Sequence, residues 1–454
     1  MQYRHLNLSS FAAPVTVCFL LSACGGEDAT AIEQSIDPLT PGPTGSEQGP
    51  GAEPPMTTDP PAAGPAPSDP PASNPPAGDP SPGNGDGSLY LLHSAVQGDD
   101  GNRLNYFTPV RSLSAVSTVS YAESLELPGR ARLYAAPGVG YFAIGNAEGV
   151  SLTRYELAGG RFAPGRSLSL QAYGVSSLGA QAVLFVSPTL AYYKDDGQGL
   201  IIAWNPSTMT IEDVIELPAS LTRDGYVMGL SDWASRDGEA FFAVSWSTPE
   251  FDRVAPGTSL VRLDLATREL SVTHDVRCRG LQTAANVGGS LYFFSDVING
   301  FGHAVYPDDA GQPDCILRVA PGGTSFDPLY AGSLSGAFPP NTNATAVAVT
   351  DGGEVWVQLA DLAVAPTTPG ATYSEWYADG WSWWHLPLAT LDGAARVDLP
   401  AGAYSGTAFA AGDRLFISQS APDYSLTTLV DVSGAALTPG VSFPGFSLDV
   451  ARIR

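Results

Sequence analysis

The sequence predicts an all-β fold made of seven repeated sheets, and three observations support this prediction. An aromatic strand motif recurs seven times after residue 87, at intervals of about 49 to 64 residues. A second apolar strand follows every copy, and helix-period patterns are nearly absent. A repeat of about fifty residues is typical of one four-stranded β-propeller blade. We therefore expect a seven-bladed β-propeller over residues 89–454, with aromatic anchors at Tyr90, Tyr141, Tyr192, Phe241, Tyr292, Trp356 and Phe416.

The strand that follows each aromatic motif alternates apolar and polar side chains. In LTRYEL and LVRLDL, this alternation places Arg154 and Arg262 on the sheet face opposite the apolar residues. Turn residues such as those at 195–197 separate the two strands and supply the positive φ that tight hairpins require. Hairpins joined in this way form antiparallel blades.

The two ends of the repeat region predict how the ring closes. The first copy begins at Leu89 with no apolar strand before it, whereas later copies follow a strand such as ARLYAA at Ala131. The last apolar segment, from Phe446, alternates correctly and is otherwise unpartnered. We expect it to complete blade 1, which leaves no open sheet edge at the junction. A pair of β-sandwiches is the alternative, but a regular period over seven copies disfavours it.

The amino-terminal segment has the features of a bacterial lipoprotein signal peptide. Residues 1–23 begin with a basic stretch, continue with an apolar core over 11–21 and end in Leu-Ser-Ala before Cys24. This ending resembles a lipobox, so we expect Cys24 to carry the lipid. A cleaved signal with an incidental cysteine and an uncleaved anchor are the alternatives. The apolar stretch is short for a transmembrane helix.

Residues 24–88 form a linker whose composition differs sharply from that of the repeats. Proline, glycine, alanine and serine dominate it, and it holds ten acidic residues and no lysine or arginine. Such a segment cannot bury a core and is expected to stay disordered and extended. It would therefore act as a stalk between the membrane and the propeller.

The charge of the chain restricts its partners. The formal net charge is −25, of which roughly −16 belongs to residues 89–454. An acidic domain is repelled by phosphate backbones, so we expect no nucleic-acid binding and membrane contact through the lipid alone. We also expect a monomer without a cofactor. Gly25, after the lipidated cysteine, favours delivery to the outer membrane of the cell envelope.

Two cysteines remain in the propeller, Cys278 and Cys315, and we expect a disulfide between them. They enclose an excursion over residues 297–314 that few backbone hydrogen bonds would hold. An unstrained bond across this loop contributes roughly 3 to 4 kcal/mol. Reduced metal-binding or nucleophilic thiols are the alternative, but no CxxC spacing supports it.

The same excursion contains the weak candidates for a metal site. Oxygen-rich loops hold Ca²⁺, and histidine with carboxylates holds transition metals. The spacing matches no defined metal loop, and a solvated turn would have the same composition, so we predict no metal site. The candidate ligands are His303, Asp308, Asp309 and Asp314.

The segment ATYSEWYADGWSWWHLP has the most unusual local composition in the chain. It holds half of the eight tryptophans. Strand alternation places Trp381 and Trp383 on one face and Trp384 on the other, so at least one set is expected to be core packing. The other set would offer an aromatic platform for a planar or sugar-like ligand. The candidate ligand-binding residues are Trp376, Trp381, Trp383, Trp384 and His385.

No catalytic motif is recognisable in the sequence. GxSxG, HExxH, GxGxxG and Walker patterns are all absent, and we predict no catalytic residue. The leading hypothesis is therefore a non-catalytic propeller that binds a protein partner or a small ligand. The alternative is a lyase or hydrolase whose site is assembled at the central channel from residues distant in sequence.

Several segments resemble one family of lipoproteins. LYLLHSAV, GRARLYAAPGVGYFAIG, AQAVLFVSPTLAYYKDD, NGFGHAVYPDDAGQPDCILR and GVSFPGFSLDVARIR are similar to the myxobacterial lipoproteins named after the MxcI product of the myxochelin siderophore locus. The resemblance covers residues 89–454 and implies a cell-envelope role tied to iron acquisition. It assigns no catalytic or ligand-binding residue.

Overall fold

The computed structural model contains seven antiparallel sheets arranged in a ring, which confirms the predicted seven-bladed β-propeller. It describes residues 88–453 apart from 98–102, 136–141, 147–149, 159–160, 180–181, 307–313, 366, 369–370, 372, 378–379, 403, 405–406, 412–413, 422–424 and 435. The signal peptide, Cys24 and the linker up to residue 87 lie outside the described residues. Their predicted roles stay predictions.

Each blade runs in sequence order from its inner to its outer strand, except that blade 1 takes its inner strand from the chain end. Blades 1 to 3 comprise β1 (Tyr90–Gln97), β2 (Arg103–Val110) and β3 (Leu125–Pro128); β4 (Ala131–Ala135), β5 (Phe142–Asn146), β6 (Ser151–Ala158) and β7 (Arg161–Ser169); and β8 (Val183–Ser187), β9 (Leu190–Asp195), β10 (Leu200–Asn205) and β11 (Thr210–Glu216). Blades 4 and 5 comprise β12 (Val227–Leu230), β13 (Ala234–Arg236), β14 (Glu239–Ser247), β15 (Thr258–Asp264) and β16 (Leu270–Asp275); and β17 (Leu281–Val287), β18 (Ser290–Ser295), β19 (Ile316–Val319) and β20 (Ala331–Gly332). Blades 6 and 7 comprise β21 (Thr342–Val349), β22 (Glu354–Asp361), β23 (Trp381–Pro387) and β24 (Ala395–Arg396); and β25 (Ala408–Ala411), β26 (Arg414–Ser420), β27 (Leu426–Asp431) and β28 (Thr438–Pro444), with β29 (Phe446–Arg452) returning to blade 1.

Two α-helices interrupt the connections on blades 5 and 6, α1 (Val297–Val305) and α2 (Tyr373–Trp376). Short 3-10 turns lie at Tyr121–Glu123, Gln171–Tyr173, Ala219–Leu221 and Ser335–Ala337. Among the described residues, neither helix combines the length and the apolar character that crossing a bilayer requires.

The core lies between neighbouring blades, because both faces of a blade are covered. Tyr192 and Tyr193 are adjacent in β9 and both fully buried. Tyr193 packs with Leu152 of blade 2, while Tyr192 packs with Phe242 of blade 4. Successive side chains of a strand point to opposite faces. Aromatic residues in consecutive positions therefore fill two different interfaces, which explains the recurring motif.

The last strand closes the ring as predicted. β29 pairs antiparallel with β1, with Tyr90 opposite Arg452 and Ala95 opposite Phe446. Val450 is completely buried in the interface with blade 7. The inner strand of blade 1 thus comes from the opposite end of the chain from its other three strands.

A second closure, on the outer edge of blade 7, was not predicted. Residues 113–119 leave blade 1 after β2 and add to β28. The amide of Val441 donates to the carbonyl of Leu113 at 3.0 Å, and the amide of Val119 donates to the carbonyl of Ser442 at 2.8 Å. We call residues 113–119 the outer strap. Blades 1 and 7 are therefore joined at the inner and outer edges of the ring.

The outer strap depends on Gly440, since a Cβ at that position would lie 2.1 Å from the carbonyl oxygen of Leu113. Gly440→Ala should displace the outer strap and lower the free energy of unfolding by about 1 to 3 kcal/mol, the usual cost of overpacking. Urea-induced unfolding measures the change. Gly336→Ala is the control, because its Cβ would meet no atom within 4 Å. Equal stability of the two variants would contradict the proposed close approach.

Candidate binding face and pocket

One end of the ring carries the longest connections. Neighbouring strands run antiparallel. The connection between the second and third strands of a blade and the connection to the next blade therefore lie at the same end of the ring. In blades 4, 5 and 6 the connections between second and third strands span residues 248–257, 296–315 and 362–380. We call this end of blades 4 to 6 the binding face.

Helix α1 lies within the binding face. The sequence predicted a solvated turn in this excursion, but residues 297–305 form a largely buried helix. Its N-cap is Asp296, whose carboxylate accepts a hydrogen bond from the amide of Asn299 at 2.9 Å. Val297, Ile298 and Phe301 are almost fully buried. A Cβ on Gly302 would lie 2.9 Å from the carbonyl oxygen of Asp252, so this glycine allows α1 to pack against the blade 4 connection.

An aromatic cluster joins α1 to the Trp-rich segment of blade 6. The rings of Phe301 and Trp376 have centroids 4.4 Å apart, and the Trp376 and Trp381 centroids are 6.4 Å apart. The indole nitrogen of Trp381 donates to the carbonyl of Trp376 at 2.9 Å. Tyr377 packs edge-on against Tyr404. These contacts make a rigid apolar centre beneath the binding face.

The structure separates the predicted aromatic ligand-binding residues into different environments. Trp376 and Trp381 are buried in the aromatic cluster, and Trp383 is buried between blades 6 and 7. Trp384 points to the opposite side, where it packs edge-on against Phe338 at 5.7 Å. Of these indoles, Trp384 alone is half-buried. The five predicted residues do not form one platform.

His385, the remaining member of that set, is half-buried on blade 6. Its ring stacks on Trp356 at a centroid distance of 4.9 Å. Its Nδ1 lies 3.3 Å from the carboxylate of Glu354. A ligand-binding role for Trp384 and His385 stays a prediction.

A small pocket lies between blades 4 and 5 on the binding face. Its enclosed space is about the size that one water molecule needs. The inner strands β12 and β17, the end of β14 and the start of α1 provide its walls. The lining residues are Gly229, Leu230, Ser245, Trp246, Ser247, Val254, Gly280, Leu281, Gln282, Asp296 and Ile298.

Two polar groups in the pocket wall lack a hydrogen-bond partner among the described residues, the hydroxyl of Ser247 and the amide nitrogen of Gln282. Their residues are only 4% and 5% exposed. Most buried polar groups in proteins are paired, and an unpaired one costs about 1 to 3 kcal/mol. Ser245, by contrast, accepts from the amide of Leu281 at 2.9 Å. The pocket therefore offers free hydrogen-bonding capacity to a water molecule or a small ligand group.

Asp296 adds a titratable group to the same wall. Burial raises the pKa of its carboxyl from 3.8 to about 7, although the amides of Asn299 and Ile298 stabilise the charged form. A carboxyl with this pKa both accepts and donates protons near neutral pH. Sequence reasoning missed Ser247, Gln282 and Asp296. For Asp296 a signal existed, since an aspartate before an apolar run is typical of a helix N-cap.

The candidate metal ligands are not brought together in the described residues. His303 lies on α1, and the carboxylate of Asp314 is engaged by Ser333 and Ser335, whose hydroxyls donate at 2.7 and 2.6 Å. Asp308 and Asp309 lie outside the described residues. No group of three or more histidine, cysteine, aspartate or glutamate side chains in the described part of the chain could hold a metal ion.

The predicted disulfide is confirmed. Cys278 and Cys315 are bonded, with Cα atoms 5.7 Å apart and a sequence separation of 37. The bond closes the chain segment that contains β17, β18 and α1. It therefore fixes both ends of the segment that forms one wall of the pocket.

The comparisons with known proteins show a similarity of fold only. No family model matches the chain, and no curated protein matches it. It is similar to a candidate 6-phosphogluconolactonase from Bacteroides fragilis, with a TM-score of 0.48 and 10% identity over 82% of this chain and 100% of the other. It is also similar to a protein from Lactobacillus plantarum, with a TM-score of 0.45 and 10% identity over 81% and 99%. For apo AztD from Citrobacter koseri the TM-score is 0.45, with 10% identity over 80% and 97%. Their activities do not transfer to this chain at such identities.

The raised pKa of Asp296 predicts a specific pH dependence of stability. Its folded pKa of about 7 exceeds the unfolded value of 3.8, so the stability that its protonated form contributes is lost as pH rises between about 4 and 7. Asp296→Asn keeps the N-cap and has no proton to lose. From pH 5 to pH 8 the variant should lose about 3 kcal/mol less unfolding free energy than the wild type.

Denaturant unfolding at the two pH values measures this difference. Burial also raises the pKa of Asp449 to about 7. Its contribution to the pH dependence is the same in both proteins and cancels in the comparison. Asp237→Asn, at an exposed position, is the matched control and should follow the wild type. The same pH dependence in the Asp296→Asn variant and the wild type would refute the assignment.

Proposed function

We propose that this chain is a cell-envelope lipoprotein whose non-catalytic propeller binds a protein partner or a small ligand. The lipobox-like ending before Cys24 and the Pro-rich linker support anchoring and a distance from the membrane. The resemblance to the MxcI-like lipoproteins supports a link to siderophore-mediated iron acquisition. Delivery to the outer membrane is part of the same proposal.

The observation that carries the binding role is the pocket with its unpaired polar groups. Ser247 and Gln282 are buried in the pocket wall, and these groups have no hydrogen-bond partner among the described residues. A bound group that satisfies both recovers the free energy lost on burying them. The narrow pocket accepts one small polar group of a ligand, and the rest of that ligand would lie on the binding face.

The surroundings of the pocket also favour binding. The disulfide and the aromatic cluster fix the connections of blades 5 and 6 before any ligand arrives. A site that is already ordered loses little conformational entropy on binding. Loops positioned by a rigid scaffold are where binding residues concentrate.

A lyase or hydrolase is the second candidate, and Asp296 is the observation that favours it. A buried carboxyl with a pKa of about 7 beside serine hydroxyls is typical of a general acid or base. Its role as N-cap of α1 accounts for the same residue structurally. Asp296→Asn separates the two functions, because an enzyme would lose turnover while a binding protein would keep its affinity.

Lipid anchoring predicts a clear difference between two cysteine variants. The wild type should incorporate labelled palmitate and sediment with membranes, whereas Cys24→Ala should lose both properties. Cys18→Ala, in the apolar core of the signal peptide, should behave like the wild type. Metabolic labelling and membrane fractionation measure the outcome. Undiminished labelling of the Cys24→Ala variant would rule out this anchor.

The small-ligand version predicts saturable binding of a ferric catecholate. Trp246 borders the pocket, so occupancy should quench tryptophan fluorescence, and the metal-free catecholate serves as the ligand control. Gln282→Leu should weaken binding by up to about tenfold, the value of one hydrogen bond. Gln171→Leu, at an exposed position, should have no effect. Absence of quenching at high micromolar concentrations of ligand, with folded protein, would eliminate this version.

A further inference from the structure

About a third of the 19 arginines in residues 89–454 form ion pairs in the described part of the chain. The chain has 46 acidic and 21 basic residues, so a carboxylate is readily available to each arginine. Six arginines form ion pairs with glutamate or aspartate. These are Arg154, Arg262, Arg268, Arg277, Arg318 and Arg414.

Three arginines at the boundary of blades 1 and 2 are not among them. Arg103 begins β2, Arg130 lies between β3 and β4, and Arg132 is the second residue of β4. None of the three forms an ion pair with a residue that the structure describes. We call Arg103, Arg130 and Arg132 the arginine cluster.

The guanidinium group of Arg103 is also poorly hydrogen-bonded. The Nε and one terminal nitrogen of Arg103 are buried without a partner in the described part of the chain. Arg103 lies over the ring of Phe446, 5.2 Å from its centre. Arg132 donates from Nε to the carbonyl of Leu178 at 3.3 Å. The amide of Gly129, which precedes Arg130, donates to the carbonyl of Arg103 at 2.9 Å, so the segments that carry the three arginines lie side by side.

The three positive charges act on one another. Burial, followed by the charges of Arg132 and Arg130, lowers the pKa of Arg103 to about 9. Burial and the charge of Arg103 keep the pKa of His93 well below its usual value, so this imidazole is neutral. Asp449 is the carboxyl that interacts with Arg132. Among the residues that the structure describes, one partly protonated carboxyl against three guanidinium groups gives a local excess of positive charge.

We propose that the arginine cluster binds a small anion with carboxylate or phosphate-type oxygens. Guanidinium groups bind such oxygens through paired hydrogen bonds, and several arginines together are typical of these sites. An arriving anion would reduce the repulsion among the three charges and pair the free donors. β2 and β4 both begin at the end of the ring that carries the binding face. The anion site lies on different blades from the pocket and stands independently of the proposed function.

Inorganic phosphate and citrate are the probes, titrated by calorimetry into the intact propeller with its linker at constant ionic strength in chloride. Saturable binding of either anion and a higher thermal midpoint are expected. Phosphate and citrate distinguish the two oxygen chemistries. Binding of neither anion would overturn the proposal.

Arg130→Gln is the test variant, because Arg130 is half-buried and lies between β3 and β4. It should weaken anion binding at least tenfold and raise the thermal midpoint without anion, because one repelling charge is gone. Arg130→Lys keeps the charge and should bind with intermediate affinity. Arg396→Gln, at an exposed position on blade 6, should match the wild type. Equal anion affinity of the Arg130→Gln and wild-type proteins would show an adventitious ion only.

Discussion

The constraint on which the structure depends is that a blade cannot cover its own two faces. Consecutive residues such as Tyr192 and Tyr193 are buried on opposite sides of one strand, each against a different neighbour. A single blade would leave both faces in water, so stability arises only when every blade has two neighbours. The ring must therefore close. The pairing of β29 with β1 and the outer strap on β28 meet this requirement at both edges of the same junction.

The sequence predicted the features whose side-chain pattern reflects burial. It did not predict the features that depend on contacts between segments distant in the chain. The aromatic anchors and the alternation of the last strand are consequences of burial, so blade number and closure were predictable. The outer strap has no apolar alternation, and its place depends on the exposed edge of β28. Helix α1 is too short for a clear period and is stabilised by its N-cap and by burial against blades 4 and 6. Local sequence does not report such contacts.

The candidate sites were less predictable than the fold. The tryptophans attracted attention by composition, yet most of them fill the core, as large aromatic side chains usually do. Ser247 and Gln282 are ordinary residues in sequence, and their importance comes from burial without a partner. The arginine cluster likewise depends on the register of β2 against β3 and on the connection to β4. Whether a polar group lacks a hydrogen-bond partner depends on the folded arrangement around it. It therefore cannot be predicted from a single sequence.

An anion site is compatible with the strongly acidic composition of the chain. Charges separated by more than about 8 Å are largely screened at physiological ionic strength, so the distant carboxylates hardly weaken a local group of arginines. The net charge still opposes long polyanions, which would have to pass over much of the acidic surface. In the described part of the chain, a small anion at the proposed site would meet the arginine cluster and the carboxyl of Asp449. We therefore expect the overall charge to oppose nucleic-acid binding, whereas the proposed site at one boundary between blades suits a compact anionic ligand.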